Sequence, residues 1–237
     1  MLSIVVPFHN EEKNIPSVLG GYLKFKEKYP FELIGVDDAS SDNTQSVFKK
    51  FLDNPSFNFL KIVSINQEDH RGYGHAIMTG LKEARGEVLA WTHSDLQTDP
   101  VDVFRAYENF LEGGGLKGEK IIIKGNRVRR TLSQVVFSFG MAVIASIVLR
   151  KLFFEINAQP KLFSKNFMSY LTHTPEDFSL DLFLLYQAKK NGYKIKTINV
   201  LFNKRLYGES KWAFSFSSKL KTIKRTIKYI FRLSKNL

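Results

Sequence analysis

The chain has 237 residues, 43% of them apolar, which suits one core-bearing domain with an appendage and excludes a disordered chain. It contains no cysteine, which excludes disulfides, thiolate metal sites and cysteine nucleophiles and fits a reducing compartment. Thirty-five basic against 23 acidic residues give a net charge of +12, so a polyanionic partner is expected: nucleic acid, anionic lipid or a phosphorylated ligand.

Strand and helix signals alternate along the first half. Met1–Pro7 is too short for a signal peptide and lacks a basic leader, and its Ile4-Val5-Val6 predicts a first strand. Asn10 is placed to cap a helix that has Pro16 near its start and runs to about Tyr29. Leu33–Val36 predicts a second strand, and Asp42 a cap for a helix to about Phe51. Leu60–Val63 predicts a third strand with a helix after Gly74, and Val88–Trp91 a fourth with a helix after Pro100. This rhythm predicts an α/β fold, a mostly parallel sheet flanked by helices. Ligands sit at the carboxyl ends of such strands. There the sequence puts His9-Asn10-Glu11, Asp37-Asp38 and His93-Ser94-Asp95.

The second half is less regular. Gly113-Gly114-Gly115 predicts a flexible loop, and Ile121–Ile123 a strand leading into Lys124-Gly125-Asn126-Arg127. Helices are expected over about Gln134–Lys151 and Asp177–Asn191, with Gly192 as a stop before a strand near Ile195. The most apolar run, Val135–Leu149, is 15 residues long, short of the roughly 20 that cross a bilayer. It predicts a buried helix or an interfacial one.

The excess charge is concentrated at the end. Beyond Glu209 there is no acidic residue, while Lys211, Lys219, Lys221, Lys224, Arg225, Lys228, Arg232 and Lys235 follow. Phe216, Leu220, Ile223, Ile227, Ile230 and Phe231 recur at helical spacing within this stretch. A basic amphipathic helix predicts association with an anionic membrane surface. Nucleic acid is not expected, because no recognised binding motif accompanies the charge. The expected division is a catalytic domain over residues 1–212 and a membrane-associating tail over 213–237.

Three clusters carry chemistry. Gly72-Tyr73-Gly74 follows the third strand and lacks the last glycine of a dinucleotide fingerprint, since Ile77 stands there. Its glycines suit close backbone approach to something bulky, which makes Gly72 a candidate donor contact. Asp37-Asp38 can accept hydrogen bonds from a ribose or a base. Asp95 and Gln97 offer oxygen ligands for a divalent cation beside a diphosphate.

Together these residues resemble the family 2 glycosyltransferases of the GT-A fold, within them the dolichyl- and polyprenyl-phosphate sugar synthases. The likeness rests on Val5–Glu12, Val36–Thr44, Asp95-Leu96-Gln97, Lys124–Arg127 and Arg205–Lys211, in that order, and covers roughly residues 2 to 212. It implies that Pro7, Asn10, Glu11 and Asp37 hold the nucleotide. Asp95 and Gln97 would bind Mg²⁺ or Mn²⁺ at the diphosphate. Arg205, Ser210 and Lys211 would close over the phosphates, and Arg127 would lie near the acceptor phosphate. His93 stands where the family has the first carboxylate of Asp-x-Asp. A neutral imidazole still ligates Mn²⁺, whereas Mg²⁺ prefers oxygen, so His93 is either a third metal ligand or a packing residue beside the sugar.

Glu176-Asp177 is similar to the acidic pair that supplies a base in relatives acting on hydroxyls, which makes Asp177 a candidate base, with Glu155 and Asp181 as competitors. The resemblance implies inverting transfer of a sugar from a nucleotide donor to a lipid phosphate, by direct displacement at the anomeric carbon. The expected place is the cytoplasmic face of a membrane, and a separate membrane subunit is a candidate helper. The alternatives are extension of a surface polysaccharide through a sugar hydroxyl, or a non-catalytic nucleotide-sugar-binding subunit.

Overall fold

Side chains of β1 (Leu2–Phe8) alternate between two cores: Ile4, Val6 and Phe8 enter one and Val5 the other. A strand apolar on both faces must lie inside a sheet covered on both sides. The computed structural model, which describes residues 1–205, 207 and 216–235, shows that arrangement. The strands are β1, β2 (Phe31–Asp38), β3 (Leu60–Ile65), β4 (Val88–Trp91), β5 (Ile121–Val128), β6 (Lys161–Ser164) and β7 (Lys194–Leu201). They form one sheet in the order β3-β2-β1-β4-β6-β5-β7. Only β6 runs against its neighbours β4 and β5.

One face is covered by α1 (Ile15–Leu23), α2 (Thr44–Leu52) and α4 (Val101–Glu112). The other is covered by α3 (Tyr73–Lys82), α5 (Leu132–Val148), α6 (Ser179–Lys190) and α7 (Phe216–Ser234). Tyr229, Ile230 and Leu233 of α7 are buried in the same core as Ala145 of α5 and Leu184 of α6. The apolar face expected on the tail therefore has Ile230 inside the domain, while Phe231 is exposed. The side chains of Phe216 and Leu220 lie outside the described residues.

α5 is apolar nearly all round yet buries only Ala142 and Ala145 fully, and leaves Leu132, Val136, Phe139 and Ile147 exposed. Among the described residues no helix is long and apolar enough to cross a membrane.

Several local expectations differ from the structure. Asn10 does not cap α1, which begins after Asn14. Its backbone is left-handed at φ 58°, and its carboxamide oxygen accepts from Ser41 N at 2.7 Å. β6 had no counterpart in the reading of the sequence. Lys124–Arg127 continue β5 instead of following it, paired in register with Thr197–Val200 of β7. The helix expected from Asp177 starts two residues later, because Asp177 Oδ1 accepts from Ser179 N at 2.8 Å and so acts before the first turn.

Candidate active site

The carboxyl ends of β1, β2 and β4 are adjacent in the sheet, so the three polar clusters converge. Each is followed by a non-glycine residue in left-handed backbone: Asn10 at φ 58°, Ala39 at φ 56° and Leu96 at φ 55°. Asn tolerates this region, whereas Ala and Leu are strained there by about 1–3 kcal/mol, a cost met chiefly where function fixes the backbone.

At the carboxyl ends of β1 and β2, Asn10 N donates to Ser40 Oγ at 2.9 Å and Glu11 N to Thr44 Oγ1 at 3.1 Å. These bonds lock the loop after β1 to the loop after β2. Asn14 Nδ2 donates to Glu11 Oε2 at 2.5 Å. Burial raises the Glu11 pKa, against the opposing pull of Asn14 and Arg205. Pro7 lies in β1 opposite Val36, and Asp37 is fully buried opposite Phe8. Asp37 Oδ1 accepts from Ser40 N at 3.2 Å, but among the described residues its buried Oδ2 has no hydrogen-bond partner. A buried carboxylate oxygen left unsatisfied is costly and marks a place for a donor group.

Beside them, Asp38 Oδ1 accepts from His70 Nδ1 at 2.9 Å, and the Asp38 carbonyl accepts from His9 Nδ1 at 2.6 Å. Candidate ligand atoms of His9, Asp38 and His70 lie within 4.8 Å of one another, one grouping in this part of the site with the chemistry to hold a metal ion.

The next part of the edge is built from the segments after β4 and β7. Asp95 is 6% exposed, and its Oδ2 is 2.9 Å from a terminal guanidinium nitrogen of Arg205. Its Oδ1 accepts from Gln97 N at 3.1 Å. Gln97 Nε2 donates to the Asn203 carbonyl at 3.2 Å, which turns Oε1 toward Arg205 Nε at 3.4 Å. Residues more than a hundred positions apart thus meet in one cluster. His93 stacks at 5.5 Å on Tyr73, which stacks at 4.5 Å on Phe178. Burial lowers the His93 pKa, so its imidazole is neutral near pH 7 and keeps a lone pair.

A basic group lies further along the sheet. Arg127 Nε is 2.8 Å from Glu155 Oε2, and Arg130 pairs with Glu155 Oε1. Burial pushes the Glu155 pKa up, but Arg127 and the neighbouring cations outweigh it and hold the carboxylate ionised. Lys124 Nζ donates to the Glu155 carbonyl at 3.0 Å, and burial brings its pKa down to about 7.

Below this layer Lys161 and Asp181 form a fully buried pair at 3.0 Å. Asp181 Oδ1 also accepts from Gln159 Nε2 at 2.9 Å and Trp91 Nε1 at 3.3 Å, and Gln159 Nε2 donates to Tyr73 Oη at 2.9 Å. Removing one partner of a buried pair costs about 3–5 kcal/mol, so this network fixes the floor under Tyr73 and His93.

Asn10, Glu11, Asp37, His93, Asp95, Gln97 and Arg205 are therefore gathered at one edge, with Arg127 on the neighbouring strands. Asp177 is placed apart. Its Oδ1 serves α6, and its Oδ2 is 2.8 Å from Arg225 Nε of α7. Close approach at Gly72 and Gly74 is by the chain's own backbone: Gly74 N donates to the Glu176 carbonyl at 2.8 Å, and a Cβ on Gly74 would lie 2.3 Å from the Pro175 carbonyl oxygen. Ser210 and Lys211 lie outside the described residues. The reading of the sequence missed His70, Tyr73, Gln159 and Lys161. Tyr73 and His70 flank a glycine motif it had marked, whereas the buried Lys161 carries no local signal.

The chain matches the model of glycosyl transferase family 2 over residues 3–174. It is 26% identical over 219 residues to a dolichyl-phosphate beta-glucosyltransferase of Trichomonas vaginalis, covering 85% of this chain and 65% of the relative. It is 25% identical to an undecaprenyl-phosphate 4-deoxy-4-formamido-L-arabinose transferase of Pectobacterium carotovorum, covering 90% and 63%. It is also 25% identical to a dolichol-phosphate mannosyltransferase of Pyrococcus furiosus, covering 99% and 64%. The chain thus spans just under two thirds of the length of these relatives. Among solved structures, glucosyl-3-phosphoglycerate synthase from Mycobacterium tuberculosis in complex with uridine diphosphate superimposes with a TM-score of 0.71 at 18% identity, covering 98% of this chain and 80% of that one. The fold is GT-A, and the chain belongs to glycosyl transferase family 2.

Proposed function

We propose that the chain is an inverting glycosyltransferase that moves a sugar from a nucleotide-sugar donor to a polyprenyl-phosphate-type lipid. The observation that carries this reading is the 2.9 Å contact of Asp95 with Arg205 at the carboxyl edge of the sheet, next to Glu11. The carboxylate can hold a cation and the guanidinium carries positive charge itself, the two ways of offsetting the charge of a departing diphosphate. Asp37 Oδ2 supplies the acceptor for a donor group on the base or ribose.

Asp95, Gln97 and a neutral His93 offer one carboxylate, one amide oxygen and one imidazole, a set that fits Mn²⁺, or Mg²⁺ with the diphosphate oxygens completing the shell. Such an ion, when bound, supplies positive charge to the departing diphosphate. The related synthase from Mycobacterium tuberculosis has been solved with Mn²⁺ and uridine diphosphate.

In the transfer, an oxygen of the lipid phosphate forms the new bond to the anomeric carbon from the face opposite the leaving group. The bond from that carbon to the nucleoside diphosphate breaks, and its electron pair stays on the diphosphate. Arg205 steadies that charge through contacts that strengthen as it develops. Arg127 and Arg130, both paired with Glu155, orient the acceptor. A phosphate monoester has a second pKa near 6, so the nucleophile is largely ionised at pH 7 and needs no base. Asp177, with both oxygens engaged, fits this reading better than one requiring proton abstraction.

The basic face of α7 and the exposed apolar side chains of α5 support peripheral attachment to the anionic inner face of a membrane, with about 1 kcal/mol from each basic residue near the surface. In solution with a pool of nucleotide sugars, release of nucleoside diphosphate should depend on added polyprenyl phosphate. Release supported equally by the unphosphorylated polyprenol or by an oligosaccharide would overturn the assignment.

A further inference from the structure

A second basic site lies beside the loops that carry Tyr73 and Phe178. A cavity of about 380 Å³ opens between α7 and the loops before α3 and α6, lined among others by Arg71, Asp177, Arg225, Lys228, Tyr229 and Arg232. Asn10, Glu11, Asp95, Arg205, Arg127 and Arg130 do not line it.

Two of its cations are neutralised within the wall: Arg71 is 3.2 Å from Glu176, and Arg225 is 2.8 Å from Asp177. Among the described residues no carboxylate pairs with Lys228 or Arg232. The Arg232 guanidinium lies over the Tyr229 ring at 5.0 Å, which narrows its orientation while leaving its N–H fork available. One fork, one ammonium and two part-neutralised guanidiniums around a single concavity match the charge and donor geometry of a phosphate group.

We propose that this cavity binds a phosphate ester, presented either by an anionic phospholipid headgroup or by a soluble molecule. Occupancy has a route to the donor side. Arg71 precedes Gly72, and the Glu176 carbonyl accepts from both Gly74 N and His75 N at 2.8 and 3.1 Å. An anion that draws Arg71 from Glu176 acts on the same loop pair that carries Tyr73 and Phe178.

The test compares two doubly substituted full-length chains with the parent. Lys228→Ala/Arg232→Ala removes two charges from the cavity. Lys224→Ala/Lys235→Ala removes two exposed charges outside it, one on the same helix and one just past its end. Glycerol 3-phosphate binding, followed by phosphorus NMR at fixed ionic strength, should be saturable in the parent and in the Lys224/Lys235 variant. It should be weaker by about tenfold or more in the Lys228/Arg232 variant, the factor expected from losing a charge-assisted contact. Equal binding by all three proteins, or equal loss in both variants, would overturn the site.

Sedimentation with phosphatidylglycerol vesicles then identifies the source. A lipid headgroup predicts that the Lys228/Arg232 variant leaves the vesicles more readily than its charge-matched control. Equal release of the two variants assigns the phosphate to a soluble ester.

Discussion

Replacing Asp95 with alanine should lower turnover by at least about 10²–10³-fold, the loss seen when one group that stabilises developing charge is removed. Asp95 holds Arg205 at 2.9 Å and offers the one carboxylate of the proposed cation site, so both devices that offset leaving-group charge fail together. The fold should persist, because Asp95 lies in the loop after β4 and belongs to neither hydrophobic core. Initial rates with saturating donor, paired with a circular-dichroism melt, provide the check. Near-parental activity in Asp95→Ala, or undiminished activity of the parent in excess EDTA, would remove the cation from the account.

The second large effect separates two kinds of acceptor. Arg127→Ala should reduce the rate with polyprenyl phosphate by about 10²-fold or more, since it deletes a charge-assisted contact to an ionised nucleophile in a water-poor site. Asp177→Asn should keep most of the rate. Asparagine can still accept from Ser179 N, and the lost pair with Arg225, itself 52% exposed, is worth only about 0–1 kcal/mol. If the acceptor were a hydroxyl and Asp177 its base, the order would reverse, because losing a general base costs about 10²–10⁴-fold. A nearly inactive Asp177→Asn beside a mildly affected Arg127→Ala would favour polysaccharide extension.

Much of this architecture was legible before any coordinates. Runs such as Ile4–Val6 and Val88–Trp91 are apolar on both faces and separated by helical stretches, which leaves few alternatives to a parallel sheet. Polar residues at or just after the ends of such strands fall at the carboxyl edge of the sheet by construction, which is why Asn10, Asp37 and Asp95 could be placed together there. β6 was not legible: it has four residues, and its Leu162 and Phe163 sit beside a lysine. That lysine is buried because Asp181, twenty residues on and in a different element, neutralises it. Glu155 clamps Arg127 and Arg130 across a similar separation. Pairings of this kind depend on which strands become neighbours, and periodicity says nothing about that. The glycines of the 72–74 motif were readable as sites of close approach, but the approaching group is the Glu176 backbone.

In the proposed transfer an oxygen of a lipid phosphate becomes bonded to the anomeric carbon. The direct measurement uses polyprenyl phosphate carrying oxygen-18 at every non-bridging phosphate position, incubated with the protein and the nucleotide sugars, and mass spectrometry of the lipid product. The expected product is a lipid heavier by one sugar residue that retains all of the label, with none in the released nucleoside diphosphate. Loss of label from the lipid, or transfer of the sugar to a hydroxyl acceptor with the lipid phosphate unchanged, would contradict it.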